Sequence, residues 1–173
     1  MPEIINTYRE THGALRFIGM RYGDDDRNED GSFRSKWVEF HKQEWFAAIL
    51  SRIVGDPKDT CTDGDSYIGL MRMCEGEPFQ YWIGMFTPPG TDIPDGLDFV
   101  DFEAGSWGVC WIFGKTEEVF FIEDRCIERL VNESYEVLDD SGELWCFERY
   151  ADPRFTMPDD QGNVILDLCV WIR

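Results

Sequence analysis

The sequence predicts an α+β domain built from two similar halves. Three observations support this. Apolar runs with the two-residue period of a strand recur along the chain, and only two longer segments have the 3.6-residue spacing of a helix. A Pro/Gly-rich connection at residues 87–96 separates two stretches with the same order of elements. We expect residues 1–173 to form one domain, with halves at about 13–90 and about 91–173.

The first half is predicted to be strand, helix, strand, strand. Leu15–Tyr22 is apolar and predicts a strand. Residues 32–53 place Trp, Phe, Ala and Ile side chains at helical spacing and end at a Gly-Asp-Pro stop. Residues 66–73 and 78–86 predict the two strands of a hairpin, because a short Glu-Gly-Glu turn joins them.

The second half repeats this order after a short lead-in strand at residues 97–103. A very apolar strand at 106–113 precedes a helix within 117–132, whose first turn carries two glutamates that suit a helix N-terminus. Residues 144–150 and 164–172 predict the last two strands. The repeat is one of element order, not of residue identity.

The charge of the chain limits its partners. The formal charge is −19, from 35 acidic and 16 basic residues, which argues against direct nucleic-acid binding because phosphates need a basic patch. The acidity serves solubility through self-repulsion, or it attracts cations or imitates DNA. Residues 1–9 are polar, unlike a signal peptide, and no apolar stretch approaches the ~20 residues that span a bilayer. We therefore expect a cytoplasmic protein without a membrane partner.

The sequence predicts no metal site and no cofactor. Its six cysteines form no C-x-x-C pair and only two histidines accompany them, so the cysteines are expected to be reduced core thiols. Asp26, Asn28, Asp30 and Gly31 match the first half of a calcium loop, but Trp37 stands where a bidentate glutamate is needed. A solvated loop that begins a helix is the better interpretation.

Glu148 is the strongest candidate for chemistry. Strand side chains alternate, so Glu148 shares a face with Cys146 and Tyr150 and lies opposite Phe147 and Arg149. A carboxylate among aromatic rings suits an organic cation, through charge and ring faces together. With a raised pKa the same group serves as a general base or acid. The alternative is a solvent-facing glutamate on a half-exposed strand.

Alternation also divides the other candidate aromatic residues. Tyr81 and Trp82 must point to opposite faces, whereas Trp107 and Trp111 share one. Seven Trp and thirteen Phe are many for this length, so part of them can line a site and not the core. The candidate hydroxyl donors are Tyr67, Tyr81 and Tyr150.

Three local patterns occur in the predicted order of elements. The first is PFQYWIG at residues 78–84, a strand that ends in tyrosine and glycine. The second runs over residues 93–114, from IPDGL through EAGSWGV, and the third is FERY at 147–150. Together, over about residues 13–173, they resemble the GyrI-like family, the effector-binding domains found alone or fused to AraC- and MerR-type regulators.

The resemblance implies an antiparallel sheet of two pseudo-twofold-related strand-helix-strand-strand units. It places the helices on one face and a ligand groove between the halves on the other. It also implies that Glu148 points into the groove and meets cationic or lipophilic ligands. This sequence departs from the family at Trp107, where a tyrosine is usual, and at Gly108, where an alanine is usual. The candidate ligand-binding residues are Glu148, Trp107, Trp111, Trp82, Tyr81, Tyr67 and Tyr150.

Three functions follow as expectations. The first is a stand-alone cytoplasmic domain that binds lipophilic or cationic drugs for sensing, sequestration or transcription regulation. Its partner there would be a separate regulator, because no DNA-binding segment stands out. The second is a hydrolase of strained electrophiles, with Glu148 as general base and Tyr150 or Tyr81 as proton donor. The third is an acidic DNA mimic that inhibits DNA gyrase. The acidic residues are spread along the whole chain, which argues against this third function.

Overall fold

Nine strands form one antiparallel sheet in the computed structural model, which describes residues Met1–Arg173. The strands are β1 (Glu3–His12), β2 (Leu15–Tyr22), β3 (Tyr67–Cys74), β4 (Gln80–Thr87), β5 (Asp98–Phe102), β6 (Gly105–Lys115), β7 (Asp139–Asp140), β8 (Glu143–Tyr150) and β9 (Asn163–Ile172). The helices are α1 (Arg34–Lys42), α2 (Trp45–Leu50) and α3 (Glu123–Asn132). None of the three is long and apolar enough to cross a bilayer. The predicted α+β class and antiparallel sheet are confirmed.

The strand order is β1-β6-β9-β8-β3-β4-β2-β5, with the short β7 paired to β8. The two halves of the chain meet where β8 pairs with β3. Outward from this junction the order is β3, β4, β2 in the first half and β8, β9, β6 in the second, so corresponding strands occupy corresponding places. The lead-in strands cross over, because β1 pairs with β6 of the second half and β5 pairs with β2 of the first. The pseudo-twofold relation and the half boundaries stay predictions.

The predicted helix of the first half needs correction, and the structure has strands that were not predicted. The single helix expected over residues 32–53 is two short helices, α1 and α2, separated at Glu44 in the left-handed region at φ 57°. Phe40 before the break and Phe46 and Ile49 after it are all buried, so the apolar period continues across the break and conceals it. β1 was not predicted, because this edge strand is mostly polar and lacks clean alternation.

The two faces of the sheet are both covered, in different ways. Buried side chains of α1, α2 and α3 pack on one face, which we call the helix face. On the other, the sheet curves onto itself, so that Phe86 on β4 lies 5.5 Å, ring centroid to centroid, from Trp107 on β6, four strands away. Trp107 and Phe147 are fully buried in this second core. The groove expected on the face without helices is therefore absent, because aromatic side chains fill that space.

A buried ion network joins the edge strand β1 to β8 and β9 on the side of the sheet opposite the helices. Arg149 on β8 is 1% exposed and donates from Nη1 and Nη2 to the two carboxylate oxygens of Glu10 on β1, at 2.8 and 3.1 Å. Its Nε donates to Asp167 on β9 at 2.9 Å. Arg154 donates to the same Asp167 at 2.7 Å and to Asp63 in the loop before β3 at 2.8 Å. Every charge in the network has a partner, as buried ions require.

Removing Arg149 tests this network. Arg149→Ala leaves Glu10 without its cation, and losing one member of a buried pair costs about 3–5 kcal/mol. We expect the free energy of unfolding, measured by denaturant titration, to fall by that amount. Arg21→Ala, at an exposed β2 arginine, is the control and should stay within about 0.5 kcal/mol of wild type. Equal unfolding midpoints for the two variants would contradict a structural role for the network.

Candidate ligand-binding cavity

A cavity of about 990 Å³ opens on the helix face of the sheet. Its floor is formed by β3, β4 and β8, and its walls by the start of α1, the segment between β6 and α3, and the loop after β8. The floor residues are Tyr67, Met71, Met73, Tyr81, Glu148 and Tyr150, and the aromatic wall residues are Phe33, Trp37, Phe79, Phe120, Phe121 and Phe155. Its size suits a drug-sized ligand, for which pockets are about 300–1,000 Å³.

A glycine on the neighbouring strand makes room for the floor residues. Gly69 on β3 lies directly opposite Glu148 on β8 in the strand register. A Cβ atom at Gly69 would lie 2.6 Å from the Tyr81 hydroxyl oxygen and 3.5 Å from Glu148 Oε2. The missing side chain therefore lets the tyrosine hydroxyl and the carboxylate approach one another over the strand.

Glu148 is buried without a cationic partner. It is 6% exposed and forms no salt bridge, and the Tyr150 hydroxyl donates a hydrogen bond to its Oε2. The pKa of Glu148 is raised to about 8, chiefly by burial; the Tyr150 hydrogen bond lowers it in part, and the nearby charge of Glu123 adds to the rise. The carboxyl group is thus mostly protonated at neutral pH and ionises near pH 8.

Aromatic side chains hold the floor in place. Trp37 donates from Nε1 to the Tyr81 hydroxyl at 2.9 Å, and its ring meets Tyr150 edge-to-face at 5.0 Å. Phe33 stacks on Tyr81 with ring centroids 4.2 Å apart and planes within 2°. Burial, and then the Glu148 charge, raise the pKa of Tyr81, so its hydroxyl stays neutral. The floor thus presents rigid rings and uncharged hydroxyls around one carboxyl group.

The cavity as a whole is acidic. Five carboxylates line it, from Asp30, Glu117, Glu123, Asp124 and Glu148, against two guanidinium groups, from Arg27 and Arg34. Arg27 is already engaged, because it donates to Asp24 and to the Gly31 carbonyl, both at 2.8 Å, and lies over the Phe33 ring. No group of three or more His, Cys, Asp or Glu side chains is arranged to hold a metal.

Three predicted wall residues need correction. Trp82, Trp107 and Trp111 lie on the opposite face of the sheet from Glu148, in or against the second core. The reason is that side chains alternate along each strand, which places the three tryptophans on the face of the sheet that also carries Phe147 and Arg149. Trp107 stacks on His12 at 4.1 Å, ring centroid to centroid, and Trp111 donates to the Tyr8 hydroxyl at 3.2 Å. They are structural residues and do not line this cavity.

The structure brings the other candidates together. Glu148, Tyr67, Tyr81 and Tyr150 all line the cavity, and their part in binding stays a prediction. Trp37, a residue of the predicted first helix, also lines it. Sequence reasoning missed Phe33, Phe120, Phe155 and Glu123, which come from loops and helix starts. No periodicity marks such positions, and only the fold brings them to one place.

The raised pKa of Glu148 predicts how stability varies with pH. The folded state binds this proton more tightly than the unfolded state, whose glutamate pKa is about 4.3, so stability falls as pH rises toward about 8. Glu148→Gln lacks this titration. Between pH 5 and 9 the difference in unfolding free energy should shift in favour of the variant by on the order of 4 kcal/mol.

The measurement is denaturant unfolding of both proteins across that range. Glu128→Gln removes an exposed glutamate of α3 and should follow the wild-type curve. A wild-type to Glu148→Gln difference that is constant with pH would show that Glu148 has an ordinary pKa.

No protein-family model matches the sequence, and no curated protein matches it. Solved structures do match the fold. A Staphylococcus aureus protein described as a bacterial transcription regulation protein superposes with a TM-score of 0.63 at 13% identity, over 97% of this chain and 98% of its own. SAV2435, solved bound to tetraphenylphosphonium, has a TM-score of 0.64 at 13% identity, over 98% of this chain and 94% of its own.

The C-terminal domain of EcmrR also superposes, with a TM-score of 0.59 at 10% identity over 97% of each chain. In a complex of EcmrR with DNA, the match spans 97% of this chain but 57% of the EcmrR chain. Identities this low establish the fold and not the function. The chain therefore has the fold of the GyrI-like effector-binding domains, as the resemblance in its sequence predicted.

Proposed function

We propose that this protein binds lipophilic cations in the cavity around Glu148. The observation that carries the proposal is a carboxyl group, 6% exposed and without a basic partner, on the floor of an aromatic cavity. Natural proteins rarely bury such a group unless an ion pair or a function compensates for its cost. A cation in the cavity supplies the missing partner, and the surrounding rings bind its apolar surface.

The fold neighbours support this choice of ligand. SAV2435 has been solved with tetraphenylphosphonium, a lipophilic monocation, and its fold matches over nearly the whole of this chain. Other neighbours are a transcription regulation protein and the C-terminal domain of EcmrR, which has also been solved on DNA. We extend the proposal to a role in drug sensing or sequestration in the cytoplasm, linked to a regulator. The reduced state of all six cysteines is compatible with that compartment.

Binding should depend on pH in a defined direction. The cation pairs with ionised Glu148, whose pKa in the free protein is raised to about 8, so binding below that pH releases a proton. The association constant should rise about tenfold per pH unit from pH 6 toward 8 and level off above it. Near pH 8.5 we expect a roughly micromolar dissociation constant, about −8 kcal/mol.

The experiment titrates tetraphenylphosphonium into wild type, Glu148→Gln and Glu128→Gln by calorimetry at several pH values. Quenching of tryptophan fluorescence gives a second readout, because Trp37 lies in the cavity wall. Glu148→Gln should bind at least tenfold more weakly at pH 8.5, a loss of about 1.4 kcal/mol or more, with a flat pH profile. Glu128→Gln should match wild type. If Glu148→Gln bound as tightly as wild type, charge recognition at Glu148 would be wrong.

Hydrolysis of strained electrophiles is the second candidate, favoured by the hydrogen bond between Tyr150 and Glu148 in the cavity. Ionised Glu148 would take a proton from water while the water oxygen bonds to the strained carbon. The strained ring bond breaks, and a tyrosine hydroxyl protonates the leaving atom. The Glu148 proton then returns to the tyrosine. A cavity of this kind does not support the third expected function, that of a DNA mimic.

Single-turnover hydrolysis of an epoxide panel tests the second candidate. A general base acts in the transition state, so Glu148→Gln should lower the rate by roughly a hundredfold or more and leave the binding of the neutral epoxide nearly unchanged. Equal rates in both proteins would exclude Glu148 as the base. No product from wild type across the panel would exclude hydrolysis of that class.

A further inference from the structure

We propose that the cavity selects ligands with two cationic groups, one paired with Glu148 on the floor and the other with Glu123 at the start of α3. The inference rests on the proposed function, since it assumes that cations bind at Glu148. It adds the class of ligand, an apolar body that carries a positive charge at each end.

Besides Glu148, Glu123 is the one cavity carboxylate that is partly withdrawn from solvent and has no partner, because the unpaired Glu117 and Asp124 are exposed. It is the first residue of α3, half-buried, and lines the same cavity as Glu148. It forms no salt bridge and accepts no hydrogen bond from another side chain, whereas the acidic residues of the buried network on the other face are all paired. Burial raises the pKa of Glu123, and the neighbouring Asp124 raises it further.

The two carboxylates also repel one another across the cavity. The charge of Glu123 raises the pKa of Glu148, and it likewise raises the pKa of the Tyr81 hydroxyl on the floor. A single cation at Glu148 would leave Glu123 facing the cavity unpaired. A dication removes both the repulsion and the two unpaired charges at once.

The cavity's own arginines do not fill this role. Arg27 acts on Glu123 only through its charge, because its guanidinium group is bound to Asp24 and the Gly31 carbonyl. Arg34 is exposed at the start of α1 and forms no salt bridge. The acidic excess at the cavity is thus left for a ligand to neutralise.

The volume of the site leaves room for a ligand with an apolar body and two charged groups. The volume of about 990 Å³ is at the upper end of the range for drug-sized molecules. The carboxylates come from different elements, Glu148 from the central strand β8 and Glu123 from the wall. The same cavity is lined by aromatic rings such as Tyr150 and Phe120, which suit an aromatic or alkyl body.

A matched pair of ligands tests the proposal. One is a bis-benzamidine joined by an alkyl chain, and the other carries a neutral carboxamide in place of one amidine. Dissociation constants are measured by calorimetry for wild type, Glu123→Gln, Glu148→Gln and Glu117→Gln, at fixed ionic strength because charge attraction is screened by salt. Glu117 is an exposed carboxylate at the same cavity, so its variant changes the cavity charge equally.

We expect wild type to bind the dication about tenfold or more tightly than the monocation, a difference of about 1.4 kcal/mol. Glu123→Gln should abolish that preference and change monocation affinity less than about threefold, while Glu117→Gln should keep the preference. Equal affinities for both ligands in wild type, or a preference that survives Glu123→Gln, would overturn this inference alone. Monocation binding that is absent, or indifferent to Glu148→Gln, would overturn the proposed function and this inference with it.

Discussion

The ion network around Arg149 ties β8, the strand that carries Glu148, to β1, to β9 and to the loop before β3. Arg149 lies on β8, which pairs with β3 at the junction of the two halves, and it reaches Glu10 on β1 and Asp167 on β9. These strands can meet at one guanidinium group only because the sheet curves strongly. The same curvature closes the second core on one face, and the cavity opens on the helix face.

Two neighbouring residues on β8, Glu148 and Arg149, are both buried, on opposite faces of the sheet and with different partners. Arg149 is surrounded by carboxylates that use its donors, whereas Glu148 receives one hydrogen bond, from Tyr150, and no cation. The first arrangement is how a folded protein compensates for a buried charge. The second leaves a cost uncompensated, and such local violations are characteristic of functional sites. The contrast on a single strand separates the structural charge from the candidate functional one.

The cavity is built from two kinds of segment, regular strands and the connections between elements. Its floor comes from regular strands, and Gly69 opposite Glu148 provides the space that two larger side chains share. Its walls come from the first turn of α1, the segment before α3 and the loop after β8. A rigid floor with walls from connecting segments allows the charge to be placed accurately while the walls vary in shape and polarity.

The sequence alone determined which residues share a face of the sheet. Alternation with a period of two put Glu148 with Tyr150, and it put Tyr81 opposite Trp82, as the structure also has them. The order of strands and helices and the α+β class followed from periodicity and turn residues, apart from β1, the two-residue β7 and the break at Glu44. Only the tertiary structure decided which face holds the cavity, because that depends on the direction in which the sheet curves. Curvature arises from contacts between distant strands, such as Phe86 with Trp107, that no local pattern encodes. For the same reason the tryptophans that sequence reasoning assigned to the ligand lie in the second core, and loop residues such as Phe155 line the cavity instead.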